Sequence, residues 1–131
     1  MNFKEALELA KQNHACERAL QVLSQISSWE EFFKLEKAAS YSCWFAEYAL
    51  HGRFELGEVA IATDAGYSYW YANHILQGQF ELGETVIATS DCYSYCYAKY
   101  ILHGRFELGE AVIKGSSWEE DYQEFINSLE K

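Results

Sequence analysis

The sequence predicts an all-α protein: short helix-turn-helix repeats stacked as a small α-solenoid, with helical caps at both ends. Three observations carry that expectation. A 26-residue unit is written three times, over residues 41–66, 67–92 and 93–118, and eleven of its columns hold one residue type in every copy. Within each copy the apolar residues recur at helical spacing. Proline is absent, so glycine is left to punctuate the chain. A period in this range marks units that bury an apolar face against their neighbours and fold poorly alone.

The elements follow in order. Residues 2–12 and about 15–26 each show an amphipathic helical pattern, and Ser28-Trp29-Glu30-Glu31 reads as a Ser-x-x-Glu capping box leading into a third helix. Residues 1–40 thus form an N-terminal cap, 41–114 the repeats and 115–131 a C-terminal capping helix of one domain. In the third copy Tyr93, Tyr97 and Ile101, with Ala98 and Leu102, line one helical face, and Ser90 or Asp91 supplies the N-cap. Gly104 stands where a left-handed C-terminal cap is wanted. A shorter helix then runs from about Phe106 to Ile113, with Leu108, Val112 and Ile113 expected on its inner side. Each unit is therefore expected to be a pair of about twelve and nine residues. A lone helix shorter than ~12 residues is marginal in water, so packing between units must supply the stability. Trp44, Trp70 and Cys96 share a column and suggest a ladder from unit to unit. The letters SSWEE return at Ser116 to Glu120, which predicts the same helix-start device before the last helix.

Composition narrows the function. Half the residues are hydrophobic and 17% are aromatic, too many for a disordered chain. Twenty carboxylates against ten Lys and Arg give a formal charge of -10, of which -9 falls in residues 41–131. Such a surface repels nucleic acid and anionic membranes and favours a basic protein partner, with a salt-sensitive attraction. No leader, membrane span or lipidation signature is read, and the four cysteines lack paired spacing, so a cytoplasmic location with reduced thiols is expected. No nucleophile elbow, phosphate loop or metalloprotease helix is present, and the expectation is a protein that is not an enzyme and uses no cofactor or metal.

The leading candidate site is a carboxylate pair in every unit: Glu55 and Glu58, Glu81 and Glu84, Glu107 and Glu110. Spacing of three puts each pair on one face near a helix N-terminus, where negative charge is favoured. Six such groups in a row could imitate a nucleic-acid backbone; alternatively they cap helices and pair with Arg53 and Arg105. A second candidate set is aromatic: Tyr69 and Tyr95 in one column, and Tyr48 and Tyr100 with His74 in another, typical material for protein recognition if exposed. The tyrosines that open each unit, Tyr41, Tyr67 and Tyr93, are assigned to packing. Cys92 and Cys96 lie four apart, short of the four ligands a structural zinc site wants. His51 and His103 precede the first glycine and face the negative end of their helix.

The repeat resembles one found in phage and mobile-element proteins, Tyr-x-Tyr-Ala-x-x-(Val/Ile)-Leu-x-Gly-Arg-Phe-x-x-Gly-Glu-x-x-Ile-Ala. Tyr67, Tyr71, Ala72, Ile75, Leu76, Gly78, Phe80, Gly83, Glu84, Ile87 and Ala88 match it, as do Tyr93, Tyr97, Ala98, Ile101, Leu102, Gly104, Arg105, Phe106, Gly109, Glu110 and Ile113. The proline that usually follows the Phe, and the Asp-Pro before the tyrosines, are missing. Residues His14, Ala15, Cys16, Ala19, Leu20, Trp29, Glu31, Phe33, Trp44 and Phe45 are similar to those of small bacterial immunity proteins. These resemblances and the acid ladder together imply an inhibitor encoded by a phage. It would act against host defence, for example as an anti-CRISPR protein, presenting a DNA-mimicking face to a basic groove. The other expectation is an immunity-like antitoxin or helical scaffold holding one cognate protein.

Overall fold

The computed structural model describes residues 1–130, and every regular element among them is helical. Among the described residues no helix is long and apolar enough to cross a membrane. The N-terminal part holds α1 (Phe3–Gln12), α2 (Glu17–Leu23) and the single turn α3 (Trp29–Phe32). Asn2 caps α1 by accepting from the Glu5 N–H, and Ser28 caps α3 by accepting from the Glu31 N–H. The third helix is far shorter than the sequence suggests. Its Glu31 carboxylate accepts from the N–H and hydroxyl of Ser27 and the hydroxyl of Ser28, which closes the turn on itself.

Each copy of the repeat contributes two helices. The first helices are α4 (Ala38–Trp44), α6 (Ala65–Tyr71) and α8 (Asp91–Cys96), and each continues without a break into a π-helical stretch, Phe45–Leu50, Ala72–Leu76 and Tyr97–Leu102. The second helices are α5 (Glu58–Ile61, entered through a 3-10 turn at Glu55–Gly57), α7 (Glu81–Ile87) and α9 (Glu107–Ile113). Successive first helices touch one another, and so do successive second helices. The chain ends in α10 (Glu119–Leu129). Ser90, rather than Asp91, caps α8, as Asp64 caps α6; each accepts from the third N–H of its helix.

Three sequence expectations are corrected here. The left-handed residue is not the glycine but the residue before it: His51, Gln77 and His103 have φ of 54, 52 and 53°. The helix ends one position earlier than its letters suggest. The N–H groups of both that residue and the following glycine return to Ala46, Ala72 or Ala98 across the widened π turn, which leaves Gly52, Gly78 and Gly104 one step past the left-handed position. Second, the second SSWEE does not repeat the capping box. Ser116 donates to the Ile113 carbonyl and accepts from the Trp118 N–H, and α10 starts only at Glu119. Third, Trp44 and Trp70 make no ring pair with each other among the described residues; each meets a ring one turn along its own helix, Tyr48 at a tilt of 36° and His74 stacked at 18°.

The second glycine of each unit has a packing reason. A Cβ on Gly83 would lie 2.7 Å from Ser68 Oγ and 2.8 Å from its Cβ, and one on Gly109 would lie 2.6 Å from Ser94 Cβ. Only a residue without a side chain lets the two helices of a unit come this close. The buried serine then donates backwards: Ser68 to the Ile61 carbonyl at 2.9 Å and Ser94 to the Ile87 carbonyl at 3.0 Å. Ser42 follows the cap rather than a repeat, and its buried hydroxyl has no partner among the described residues.

These contacts predict opposite responses to small changes. Gly109→Ala should cost about 1–3 kcal/mol by overpacking. Gln77→Gly, by relieving a left-handed side chain, should gain about 0.5–1 kcal/mol. Ser42→Ala should be neutral or stabilising, whereas Ser94→Ala, which removes a buried hydrogen bond to an Ile87 carbonyl that still accepts the Ser90 N–H, should cost about 0.5–1.5 kcal/mol. Urea unfolding monitored by circular dichroism measures all four.

Candidate functional site: an acid and leucine row beside the junction bonds

The three pairs of carboxylates do not behave alike. Glu58 is 7% exposed, and Glu84 and Glu110 are half-buried, whereas Glu55, Glu81 and Glu107 stand in solvent. The inward member of each pair makes the same bond in each unit. Tyr71 Oη donates to Glu58 at 2.7 Å, Tyr97 Oη to Glu84 at 2.6 Å and Tyr122 Oη to Glu110 at 2.6 Å. The same hydroxyl accepts the N–H of Phe54, Phe80 or Phe106, at 2.9, 3.0 and 3.1 Å. That N–H is one of the orphan donors at the start of a second helix, so one tyrosine caps the helix of the preceding unit and grips its glutamate. Arg53 and Arg105 add a two-pronged contact to Glu58 and Glu110. In the middle unit Gln79 stands at the arginine position, and Glu84 keeps only its tyrosine.

The rings of these tyrosines also tie their own unit together. Tyr71 meets Phe80 edge-on at 5.1 Å and Tyr97 meets Phe106 at 5.0 Å. In the first unit Phe45 occupies the tyrosine position and meets Phe54 at 5.0 Å. It has no hydroxyl because no repeat precedes it to offer a carboxylate. At the other end Tyr122 of α10 supplies the hydroxyl that a fourth unit would have supplied, one residue earlier than the 26-residue period.

Of the six carboxylates, the inner ones of the outer units pair with Arg53 and Arg105 as the alternative expectation had it, and the outward row is three acids, of which Glu55 also lies 3.8 Å from Arg53. Beside each outward acid stands an exposed leucine: Leu56 is 49%, Leu82 55% and Leu108 60% exposed. This corrects the inward placement expected for Leu108. Of the three apolar side chains expected inside, only that of Ile113 is buried, with Val112 half-buried. The cause is geometric, since Gly109 and the Tyr122 bond to Glu110 turn the other face of α9 against its neighbours and leave residues 107 and 108 outside. Sequence reading missed these leucines as surface residues, because an apolar letter in a short helix is assigned to the core by default. A signal was present: Glu-Leu is identical in all three copies, while exposed columns such as Tyr48/His74/Tyr100 and Val59/Thr85/Ala111 vary.

The aromatic candidates divide too. Tyr48 and Tyr100 are 51% and 52% exposed, as a binding role needs, and His74 is exposed too. Tyr95 is buried and stacks on Trp118 at 5.2 Å, and Tyr69 is half-buried against Tyr93 at 5.7 Å, so neither is a free recognition side chain. The reason is their column, which faces the next unit rather than solvent. Tyr67 and Tyr93, expected only to pack, are partly exposed. Burial, with Cys92 beside it, pushes the Cys96 thiol up to about 11, so it stays protonated near neutral pH and is a poor metal ligand.

Two groups at the last junction carry a pH signature. Burial first, and then the bond to Glu110, push Tyr122 up to about 12, against the opposing Phe106 N–H and Arg105. Hydrogen bonds from Arg105 and then Tyr122 hold Glu110 below the ordinary carboxylate range. Comparison with protein families, with curated proteins and with solved structures finds no match to this chain.

The junction bond predicts that Tyr97→Phe, which strands the Phe80 N–H and Glu84, costs about 1–3 kcal/mol. Tyr48→Phe on the surface should stay within about 0.5 kcal/mol. Stability should also fall at both pH extremes. The Tyr122 contribution is complete below the unfolded tyrosine value of ~10 and is lost as pH rises through about 12. That of Glu110 is complete above the unfolded value of ~4.3 and is lost as pH falls through its lower folded value. Urea midpoints measured across pH should show that Tyr122→Phe flattens the alkaline limb and Glu110→Gln the acid limb.

Proposed function

We propose that this protein is a non-enzymatic, protein-binding inhibitor built as a short α-solenoid. Its row of Glu55-Leu56, Glu81-Leu82 and Glu107-Leu108 meets a basic partner. The single observation that carries the reading is that these three pairs are exposed and identical while neighbouring exposed positions vary, although none of their side chains contributes to the junction bonds. A leucine kept at 49 to 60% exposure gains nothing for the fold and gains much in an interface. The formal charge of -10 supports a basic partner. Nucleic-acid-binding proteins carry such surfaces, and the proposal places this chain in the host cytoplasm as a phage-encoded antagonist of a defence protein such as a CRISPR effector.

The leucines favour a second reading, in which one cognate protein, such as a toxin, is held mainly by apolar contact. Salt separates the two, since charge-led binding weakens steeply with ionic strength and apolar binding does not. Because Glu58, Glu84 and Glu110 hold the fold together, the clean test leaves them alone. The triple variant Glu55→Lys, Glu81→Lys, Glu107→Lys should keep its helical signal and lose capture of the partner at least tenfold in pull-downs from host lysate. The triple Leu→Ser variant at positions 56, 82 and 108 should weaken capture less under the first reading and more under the second. Undiminished capture by both variants would exclude this row as the binding face.

A further inference from the structure

The junctions between units are not equally filled. Where the second unit meets the third, Tyr69 and Cys92 occupy two aligned positions, and where the third meets α10 these are Tyr95 stacked on Trp118. Where the first unit meets the second, the same two positions hold Cys43 and Gly66. With no ring at position 43 a groove of about 570 Å³ lies among the first helices, while at Gly66 the Tyr93 ring closes in, 3.4 Å from where a Cβ would stand. Six rings line it: Trp44, Tyr48, Tyr67, Tyr69, Trp70 and Tyr93.

The charge at this junction also departs from the repeat. Glu47 and Asp64 line the groove, where the second and third units have Asn73 and Lys99, and Ser90 and Ser116, in the same columns. No lysine or arginine is among the lining residues, and Glu47 makes no ion pair or hydrogen bond among the described residues. Asp64 spends one oxygen on the Tyr67 N–H at 2.8 Å. Burial raises the Cys43 thiol to about 12, with Asp64 and Glu47 adding to the effect, so the floor of the groove is neutral and sits in a negative field.

Aromatic walls with two carboxylates select against most ligands. Phosphates are repelled, and a purely apolar group would strip water from the acids without replacing it. An ammonium keeps its water strongly, whereas a guanidinium is planar, weakly hydrated, stacks on rings and offers donors to carboxylates. We propose that this groove binds the guanidinium group of an arginine side chain presented by another protein, between the aromatic walls and against Glu47 and Asp64. The groove lies among the first helices, whereas the acid and leucine row lies on the second helices, so this site stands whether or not that row binds anything.

The test uses the full-length protein and the blocked peptide acetyl-Gly-Arg-Gly-amide, with citrulline and lysine versions of the same peptide, read by NMR shift titration. The arginine peptide should bind at least tenfold more tightly than the neutral citrulline peptide and more tightly than the lysine one, with shifts at residues around the groove. The double variant Glu47→Gln, Asp64→Asn, which keeps a helix-capping side chain at position 64, should lose at least tenfold in affinity. Cys43→Tyr with Gly66→Cys, which restores the residues of the next junction, should abolish binding. Glu55→Lys with Glu81→Lys and Glu107→Lys should leave peptide binding in place whatever it does to the larger partner. Equal binding of arginine and citrulline peptides, or unchanged affinity in the Glu47→Gln, Asp64→Asn variant, would overturn the proposal. So would methylguanidinium binding as tightly as the peptide, which would assign the groove to a free small molecule.

Discussion

One tyrosine hydroxyl at each junction organises this molecule. It accepts the first free N–H of a second helix and donates to a carboxylate one turn further on, while the rings of Tyr71 and Tyr97 pack within their own units. Short helices need such an arrangement. Seven-residue elements such as α7 and α9 cannot sustain themselves in water, and they bring unsatisfied N–H groups to their starts. A hydroxyl held inside the junction satisfies a donor and a carboxylate at once, and both would be costly to leave buried and unpaired.

That requirement divides the surface. Each Glu at the inner position is committed to the tyrosine of the next element, and in the outer units to an arginine as well, so it cannot serve a partner without loosening the fold. The Glu and Leu three and two residues earlier carry no such duty. Structure and recognition are thus separated within a single short helix: one face is spent on the junction, and the other is free to meet another molecule. The close approach of Ser68 to Gly83, and of Ser94 to Gly109, sets the rotation that makes this division repeat.

The ends and the irregular junction show the same logic from the other side. Phe45 replaces the tyrosine where no unit precedes, Ser42 is left without an acceptor there, and Tyr122 arrives from outside the repeat to close the last junction. Cys43 leaves one junction without a ring, and Glu47 and Asp64 raise its negative charge, so departures in several columns converge on one groove. Side chains that differ from a repeat without a shared location would read as drift; these share one.

Much was legible in the letters. Period, glycine placement and helical spacing marked paired helices over residues 41–114, and the Ser90 cap and the bonds from Arg53 and Arg105 to their glutamates lay within the reading of local spacing, because they act within five residues. Tertiary packing decided the rest. Spacing of three places Glu107 and Glu110 near one another on a helix, but only the neighbouring α10, with Tyr122 twelve residues on, draws one of them inward. Leu108 reads as core and Tyr95 as surface until the junction bonds rotate α9 and Trp118 covers Tyr95. The sequence by itself determined that the chain is helical and how often the pattern recurs, since those depend on short-range backbone geometry, but not where α3 ends or α10 begins. Which face of each helix is buried was settled by the tertiary structure alone, because it depends on bonds reaching across from the next unit.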